Sequence, residues 1–232
     1  MVFIYFSRVK TKEMKKNKII IGFFLGILLL MPFVGNSQVK DIDGQTYKTV
    51  KIGKQVWMSE NLNVSYFQNG DSIPETKTAE EWRATVEEGK PGWCYYNNNP
   101  ENGEKYGKLY NWYAVNDSRG LVPEGWRIPS DKDWAQLSDY IGGKEIGGEK
   151  LKSTNGWSEG GNGTNESGFD GLPGGFRYYH GFYYIGKYGY FWSSTDASAG
   201  STWSRVLYYN NGNFPRYYYS TRSGFSVRCL QD

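Results

Sequence analysis

The clearest early alternation of polar and apolar residues predicts a β-hairpin over residues 41–58. Thr46–Ile52 has the pattern of a strand, Gly53-Lys54 supplies a turn, and Gln55–Met58 resumes an extended apolar pattern. A short glycine-containing turn between two such runs is typical of paired antiparallel strands. We therefore expect the folded part of the chain to begin with this hairpin.

A short helix is predicted directly after Thr78. The hydroxyl of Thr78 and the carboxylate of Glu81 have the spacing of a capping box, in which each side chain binds the other residue's backbone N–H. Ala79, Trp82 and Val86 then recur at the interval that places them on one face of a helix. We expect this face to bury the tryptophan.

A second helix with the same features is predicted after Ser130. Ser130 is a favourable N-cap residue, and Trp134, Leu137 and Ile141 fall on one stripe of the helix that follows. Gly142-Gly143 then provides a stop signal. The pattern predicts two short helices, each anchored by a tryptophan.

The second half of the chain combines a glycine-rich segment with a series of strands. Gly142–Gly175 is rich in Gly, Asn, Ser and Thr, which predicts a long, ordered loop region. Asn210–Asn213 has the composition of a hairpin turn. The strand-like runs are Gly174–Tyr179, Phe182–Ile185, Tyr190–Ser194, Thr202–Tyr209, Pro215–Ser220 and Phe225–Leu230. The expected fold class is a single α+β domain over residues 38–232, with two short helices, antiparallel strands and long loops.

Residues 1–37 have the organisation of an export signal. The uncharged apolar run Ile19–Val34 follows a group of lysines and precedes small and polar residues. It is shorter than the roughly 20 residues that a membrane-spanning helix needs. We expect cleavage at the end of this segment, no lasting membrane span, and a final location in the periplasm, at the cell surface or outside the cell. A retained membrane anchor is the alternative. Residues 1–13 are expected to be an over-extended start, because Met14 begins a more typical signal.

Removal of this segment changes the charge of the protein. The full chain has 27 basic and 24 acidic residues, and residues 1–37 hold six of the former and one of the latter. The remaining domain therefore has 21 basic and 23 acidic residues, a net charge of −2. A nucleic-acid-binding domain needs a basic surface. The composition thus argues against a nucleic-acid partner.

Cys94 and Cys229 are the only cysteines of the chain. In an exported protein an even pair of cysteines is more often oxidised than free, so a structural disulfide is the leading expectation. Such a bridge would close a long loop and stabilise the fold by about 4–5 kcal/mol in the chain-entropy account. Two separate buried thiols are the alternative. Reactive or metal-binding thiols are disfavoured, because His180 is the single histidine that could act as a base or a metal ligand beside them.

Six sequence blocks together indicate a family. They are DIDGQTYKTVKIGKQVWMSENLN (Asp41–Asn63), GKLYNWYAV (Gly107–Val115), GWRIPSDKDWAQL (Gly125–Leu137), NESGFDGLPGGFR (Asn165–Arg177), FWSST (Phe191–Thr195) and GFSVRCLQD (Gly224–Asp232). In this order they resemble the Fibrobacter succinogenes major paralogous domain, a family of exported proteins in Bacteroidetes and their relatives. The resemblance covers nearly all of residues 39–232.

The resemblance implies a C-type-lectin-like α+β fold, related in architecture to the formylglycine-generating enzymes. It also implies pairing of Cys94 with Cys229, and it brings no known activity. The catalytic cysteine pair of those enzymes is not carried over, because only Cys229 lies near the C-terminus. The Glu-Pro-Asn and Gln-Pro-Asp tripeptides of calcium-dependent lectins are also missing from the sequence.

Repeated tyrosines are the main candidate for a binding site. They occur as doublets and one triplet on predicted strands: Tyr178, Tyr179, Tyr183, Tyr184, Tyr208, Tyr209, Tyr217, Tyr218 and Tyr219. Successive side chains of a strand point to opposite faces, so one core cannot bury every member. Either the long loops cover the second face, or exposed tyrosines bind sugars or proteins through their rings and hydroxyls.

Metal and catalytic sites receive weaker support from the sequence. Glu159, Asn162, Asn165, Glu166 and Asp170 could supply oxygen ligands to calcium, although such loops more often satisfy their own backbone. Paired carboxylates for a hydrolase are available in any chain of this acidity, and no catalytic motif is present. No cofactor is therefore expected, with calcium as the one candidate.

The sequence favours an exported, non-catalytic binding module. Its expected partner is a polysaccharide or surface glycan that the aromatic residues recognise. The alternative is a structural or adhesion component that binds a surface protein through the same aromatic face.

Overall fold

The computed structural model describes residues 38–232, and the predicted export signal lies outside the described residues. The strands in this part of the chain are β1 (Gln38–Lys40), β2 (Thr46–Ile52), β3 (Gln55–Met58), β4 (Trp93–Cys94), β5 (Leu109–Asn111), β6 (Trp126–Arg127), β7 (Phe176–Tyr178), β8 (Gly181–Tyr183), β9 (Tyr188–Ser198), β10 (Ser201–Tyr208), β11 (Arg216–Ser220), β12 (Gly224–Phe225) and β13 (Leu230–Gln231). The helices are α1 (Ala79–Glu87), α2 (Pro100–Tyr106), α3 (Trp112–Val115), α4 (Asp131–Tyr140) and α5 (Gly147–Leu151). Short 3-10 turns occupy Tyr96–Asn98 and Ser158–Gly160. None of the helices within residues 38–232 is long and apolar enough to cross a membrane.

The strands form three antiparallel sheets. Their strand orders are β1-β2-β3-β13-β6, β11-β10-β9 and β4-β5-β12-β7-β8. Strand β9 connects the sheets through isolated bridges, Gly175 with Gly189 and Phe191 with Ser226. The α+β class with antiparallel strands is thus confirmed.

Both predicted helices are present with their predicted caps. Thr78 and Glu81 form the capping box of α1, and Ser130 and Asp133 form that of α4. The expectation of only two helices is wrong, because α2, α3 and α5 also form. Helix α5 lies inside the segment Gly142–Gly175 that was expected to be a loop.

The high aromatic content builds the core. Five buried tryptophans donate their indole N–H groups to backbone carbonyls, so that these large rings are buried with their donors paired. The pairs are Trp82 with Arg222 (3.1 Å), Trp93 with Ile73 (2.8 Å), Trp134 with Trp192 (3.2 Å), Trp157 with Gly171 (3.1 Å) and Trp192 with Tyr110 (2.8 Å). Each of these bonds ties a ring to a distant segment and fixes how the sheets pack.

The C-terminal segment is not the single strand predicted over Phe225–Leu230. It divides into β12 and β13, which belong to different sheets. Between them, Arg228 is fully buried, and its guanidinium donates to Asn61 Oδ1 (2.8 and 3.1 Å) and to the carbonyl oxygens of Met58 (3.2 Å) and Phe169. The buried arginine thus has its acceptors on three other segments, at the point where the chain passes from one sheet to the other.

The expected disulfide between Cys94 and Cys229 is wrong: both thiols are buried and unpaired. Cys94 lies with Trp82 in one hydrophobic cluster, whereas Cys229 belongs to the cluster that contains Met58. Their strands and flanking segments also belong to different sheets. The alternative of two separate buried thiols describes the structure.

Candidate functional site

The predicted tyrosines are divided between exposed and half-buried positions. Tyr178, Tyr183, Tyr184, Tyr217 and Tyr218 are exposed by 38% to 65%. Tyr179, Tyr208, Tyr209 and Tyr219 are half-buried. The glycine-rich segment thus does not cover the exposed group.

A connected surface of tyrosines begins at strand β9, where a half-buried residue precedes buried ones on the same side of the strand. Tyr190 and Trp192 are buried, and Tyr188 lies two residues earlier on the same side of the strand. Tyr188 pairs with Tyr208 across the ladder between β9 and β10. We call the connected surface the tyrosine face; it consists of Tyr183, Tyr184, Tyr188, Tyr208, Tyr209, Tyr217 and Tyr219.

Ring contacts connect the members of this face, with the buried Tyr190 as the link between Tyr188 and Tyr219. Tyr188 is its centre, with centroid distances of 4.6 Å to Tyr184, 4.9 Å to Tyr208 and 6.4 Å to Tyr209. At one end Tyr183 stacks on Phe176 at 5.3 Å. At the other end Tyr219 lies 6.3 Å from Tyr217 and 5.5 Å from the buried Tyr190, which is itself 6.0 Å from Tyr188.

The turn that carries Tyr184 is held in an unusual conformation. Tyr184 has a φ of 64°, a left-handed value that is an outlier for a bulky residue. Its carbonyl accepts from the N–H groups of Lys187 (3.0 Å) and Tyr188 (2.9 Å). Such strain persists only where surrounding contacts hold it, and it is concentrated at functional sites.

The glycine-rich segment supports the face from one side. A Cβ atom on Gly161 would lie 1.9 Å from the carbonyl oxygen of Tyr209, so only glycine lets the loop approach this closely. Beside it, Lys187 Nζ lies 3.2 Å from Glu159 Oε1 and 5.2 Å from the centre of the Tyr209 ring. The loop therefore places one ion pair at the edge of the face.

Two tyrosines of the face, Tyr208 and Tyr219, have raised pKa values. Burial, followed by the hydrogen bond with Tyr217, raises the pKa of Tyr208 far above its ordinary value. Burial is also the largest cause that raises the pKa of Tyr190 and Tyr219, which share a hydrogen bond. The charge-related contributions to these three pKa values come from other tyrosines. Tyr208 and Tyr219 are thus uncharged at neutral pH.

Alkaline pH is expected to destabilise the protein. Tyr190 and Tyr208 would ionise near 10.0 in the unfolded chain, but their pKa values are raised in the folded state. The stability from keeping them neutral is fully present below pH 10.0 and is lost as the pH rises above that value. Urea unfolding should therefore show a falling free energy of unfolding above about pH 10, with a smaller fall for Tyr208→Phe. The exposed Tyr140→Phe serves as the control with a wild-type profile, and a flat wild-type profile would contradict the account.

Three of the predicted tyrosines lie outside the tyrosine face. Tyr178 and Tyr179 contact each other at 5.8 Å, and the Tyr179 hydroxyl donates to Glu87. Tyr218 contacts Trp203 at 5.9 Å, and the Arg216 guanidinium lies 3.3 Å from the centre of that Trp203 ring. Conversely, sequence reasoning missed Tyr188, although the alternation of Tyr188, Tyr190 and Trp192 is a signal that it belongs to the same strand.

The calcium candidates do not come together as one site. Glu159 pairs with Lys187, and Asn162 Oδ1 accepts from the Trp157 N–H at 3.1 Å. Asn165 Nδ2 donates to Asp170 Oδ1 (3.2 Å), and the N–H of Asp170 donates to Asn165 Oδ1 (2.8 Å). Glu166 is exposed and lines a different groove with Lys150. Within residues 38–232, no three His, Cys, Asp or Glu side chains form a group that could hold a metal ion.

A groove of about 670 Å³ lies elsewhere on the protein. Its apolar wall includes Leu121, Val122, Trp126 and Ile128. Its charged residues are already engaged, since Arg127 binds Asp133 (2.5 Å) and Asp117 binds Arg119 (2.8 Å). The tyrosine face is the stronger candidate because its aromatic surface is open to a ligand.

Comparison with known families gives a match to the Fibrobacter succinogenes major domain over residues 50–231. The protein belongs to this family. No curated protein and no solved structure matches the chain. The whole tyrosine face, from Tyr183 to Tyr219, therefore lies within the Fibrobacter succinogenes major domain.

Proposed function

We propose that this protein is an exported, non-catalytic binding module that recognises carbohydrate or a cell-surface polymer through the tyrosine face. The observation that carries the proposal is the connected set of rings around Tyr188, of which Tyr183, Tyr184 and Tyr217 are exposed. Tyrosine offers an apolar ring and a polar tip in one rigid side chain, which suits the alternating apolar and hydroxylated surface of a sugar.

The fixed backbone around Tyr184 supports a binding role. The N–H of Gly175 donates to the carbonyl oxygen of Tyr188 at 2.8 Å. The N–H of Tyr209 donates to the carbonyl oxygen of Lys187, also at 2.8 Å. These bonds hold both sides of the turn before any ligand arrives. A pre-organised surface loses less conformational entropy on binding than a mobile one.

The proposal includes the compartment and the finer fold. The apolar run Ile19–Val34 after a lysine cluster supports export to the periplasm, the cell surface or the medium. Membership of the family, together with the mixture of short helices and small antiparallel sheets, supports a C-type-lectin-like fold. Both are consistent with a protein that meets polymers outside the cytoplasm.

A glycan array tests the proposal, with the purified protein compared with Tyr184→Gly. Glycine removes the ring and tolerates the positive φ, so the turn is kept. Loss of a central aromatic contact should weaken binding by about 1–2 kcal/mol, or about tenfold. Tyr178→Ala, at an exposed tyrosine outside the face, is the control.

Two results would reject carbohydrate recognition through this face. One is the absence of binding to every glycan on the array, with capture of a specific surface protein instead. The other is equal binding by the wild type, Tyr184→Gly and Tyr178→Ala.

A further inference from the structure

We infer that the ligand of the tyrosine face is an uncharged polysaccharide, bound as a single soluble chain and not as the flat surface of an insoluble polymer. This inference rests on the proposed function and narrows its ligand class. It follows from two features of the described residues, the charge around the face and the mutual angles of its rings.

The charged groups beside the face are already neutralised. Lys187, next to the Tyr209 ring, is paired with Glu159 at 3.2 Å. Lys152 is 1% exposed, and its ammonium group is held by Glu149 Oε1 (3.0 Å) and by the carbonyl oxygens of Tyr208 (3.2 Å) and Asn211 (3.1 Å). Lys152 is thus out of reach of a ligand, and Lys187 already has a carboxylate partner that an anionic ligand would have to displace.

The nearby arginines are directed to other aromatic residues. Arg216 lies over the ring of Trp203, and Arg222 lies over that of Tyr179, and both rings are outside the tyrosine face. An anionic polymer laid on the face would lose hydration of its charges without gaining a counter-ion there. An uncharged polymer loses no such hydration, so the surface discriminates in its favour.

The hydroxyl groups offer neutral hydrogen bonding instead. Burial and neighbouring tyrosines keep the pKa of Tyr208 and Tyr219 raised, so both remain protonated and can donate as well as accept. Sugar hydroxyl groups have the same dual capacity. The polar tips of the rings and the hydroxyls of an uncharged sugar are therefore matched partners.

The rings are not coplanar. The interplanar angle is 36° between Tyr184 and Tyr188, 89° between Tyr188 and Tyr208, and 69° between Tyr217 and Tyr219. A flat polymer surface could contact only a few of these rings at once. A single chain can rotate about its linkages and present successive sugar rings at successive angles, which favours a soluble chain.

Titration calorimetry with three kinds of polymer tests the inference. The probes are a soluble uncharged polysaccharide such as xyloglucan or galactomannan, a soluble anionic one such as alginate, and microcrystalline cellulose as an insoluble flat surface, which is assayed by depletion. Each soluble titration is run between about 0.01 and 1 M salt, over which the screening length falls from about 30 Å to about 3 Å. We expect binding of an uncharged soluble chain, with an affinity that changes by less than about twofold over this range.

A charge variant provides the matched control. Glu159→Gln frees Lys187 without removing a ring of the face, and it should leave the affinity for the uncharged chain within about twofold of the wild type. A tenfold loss in this variant would overturn the inference, because a charge would then take part in recognition.

The remaining outcomes separate the two proposals. Preference for alginate with strong salt dependence, or binding to cellulose alone, would overturn the ligand class while leaving carbohydrate recognition in place. Failure to bind any polysaccharide would overturn both the inference and the proposed function.

Discussion

Replacing Arg228 with leucine is expected to lower the free energy of unfolding by about 3–5 kcal/mol. The guanidinium is fully buried and satisfies Asn61 Oδ1 and the carbonyl oxygens of Met58 and Phe169. It also lies 4.3 Å from the centre of the Phe169 ring. Leucine would leave these acceptors without a donor, and the three segments they belong to would lose their common partner.

Two further variants show whether shape or charge is responsible. Arg228→Lys keeps the charge but lacks the planar fork, so it should fall between the wild type and Arg228→Leu. Arg222→Leu, at an exposed arginine, should change the stability by no more than about 0.5 kcal/mol. Urea unfolding measures all three. An Arg228→Leu protein within about 1 kcal/mol of the wild type would show that the buried network does not hold the C-terminal segment.

The thiols of Cys94 and Cys229 are expected to be reduced in the folded protein and almost inert. Burial raises the pKa of Cys94 from 9.0 to about 12 and raises that of Cys229 further. Since the thiolate is the reactive species, a shift of this size lowers its population about a thousandfold near neutral pH. Burial also keeps reagents away from both sulfur atoms.

Alkylation with iodoacetamide, followed by intact-mass measurement, checks this expectation. The folded protein should remain unmodified over a period in which urea-unfolded protein gains two adducts without any reductant. The thiols would then be intact in a protein whose sequence predicts export. If the unfolded protein gains adducts only after reduction, a disulfide is present and the packing described for the two cysteines is wrong.

Local signals in the sequence predict several elements well. The strands Thr46–Ile52 and Gln55–Met58 and the capping boxes at Thr78 and Ser130 occur as expected. These features depend on residues close in sequence, such as a hydroxyl and a carboxylate three positions apart. These elements can therefore be predicted from short stretches of sequence.

Other elements depend on contacts between distant residues. Helix α5 begins with two glycines, which are poor helix formers. Gly148 is needed because a Cβ atom there would lie 2.5 Å from the carbonyl oxygen of Asn213. The break between β12 and β13 lies at the buried Arg228, whose partners Asn61, Met58 and Phe169 are distant in sequence. Helix α2 is different, because Asn99 followed by Pro100 is a recognisable cap that could have predicted it.

The candidate site could be predicted in part. Doublets on strands correctly indicate that some tyrosines stay outside the core, and Tyr183, Tyr184 and Tyr217 are among those exposed. Which doublets join into one surface depends on the pairing of β9 with β10, which the doublets themselves do not encode. For this reason the doublets alone do not separate Tyr218 from Tyr217 and Tyr219, whereas Tyr188 has a signal in its alternation with Tyr190 and Trp192.

The most direct test of the tyrosine face compares Tyr217→Ala with Tyr218→Ala. The two residues are neighbours on β11, exposed by 45% and 65%, and their side chains contact Tyr219 and Trp203, respectively. Binding isotherms with a soluble uncharged polysaccharide should show a loss of about tenfold for Tyr217→Ala and a change of less than about twofold for Tyr218→Ala. Equal losses in both variants, or no loss in either, would contradict recognition by the tyrosine face.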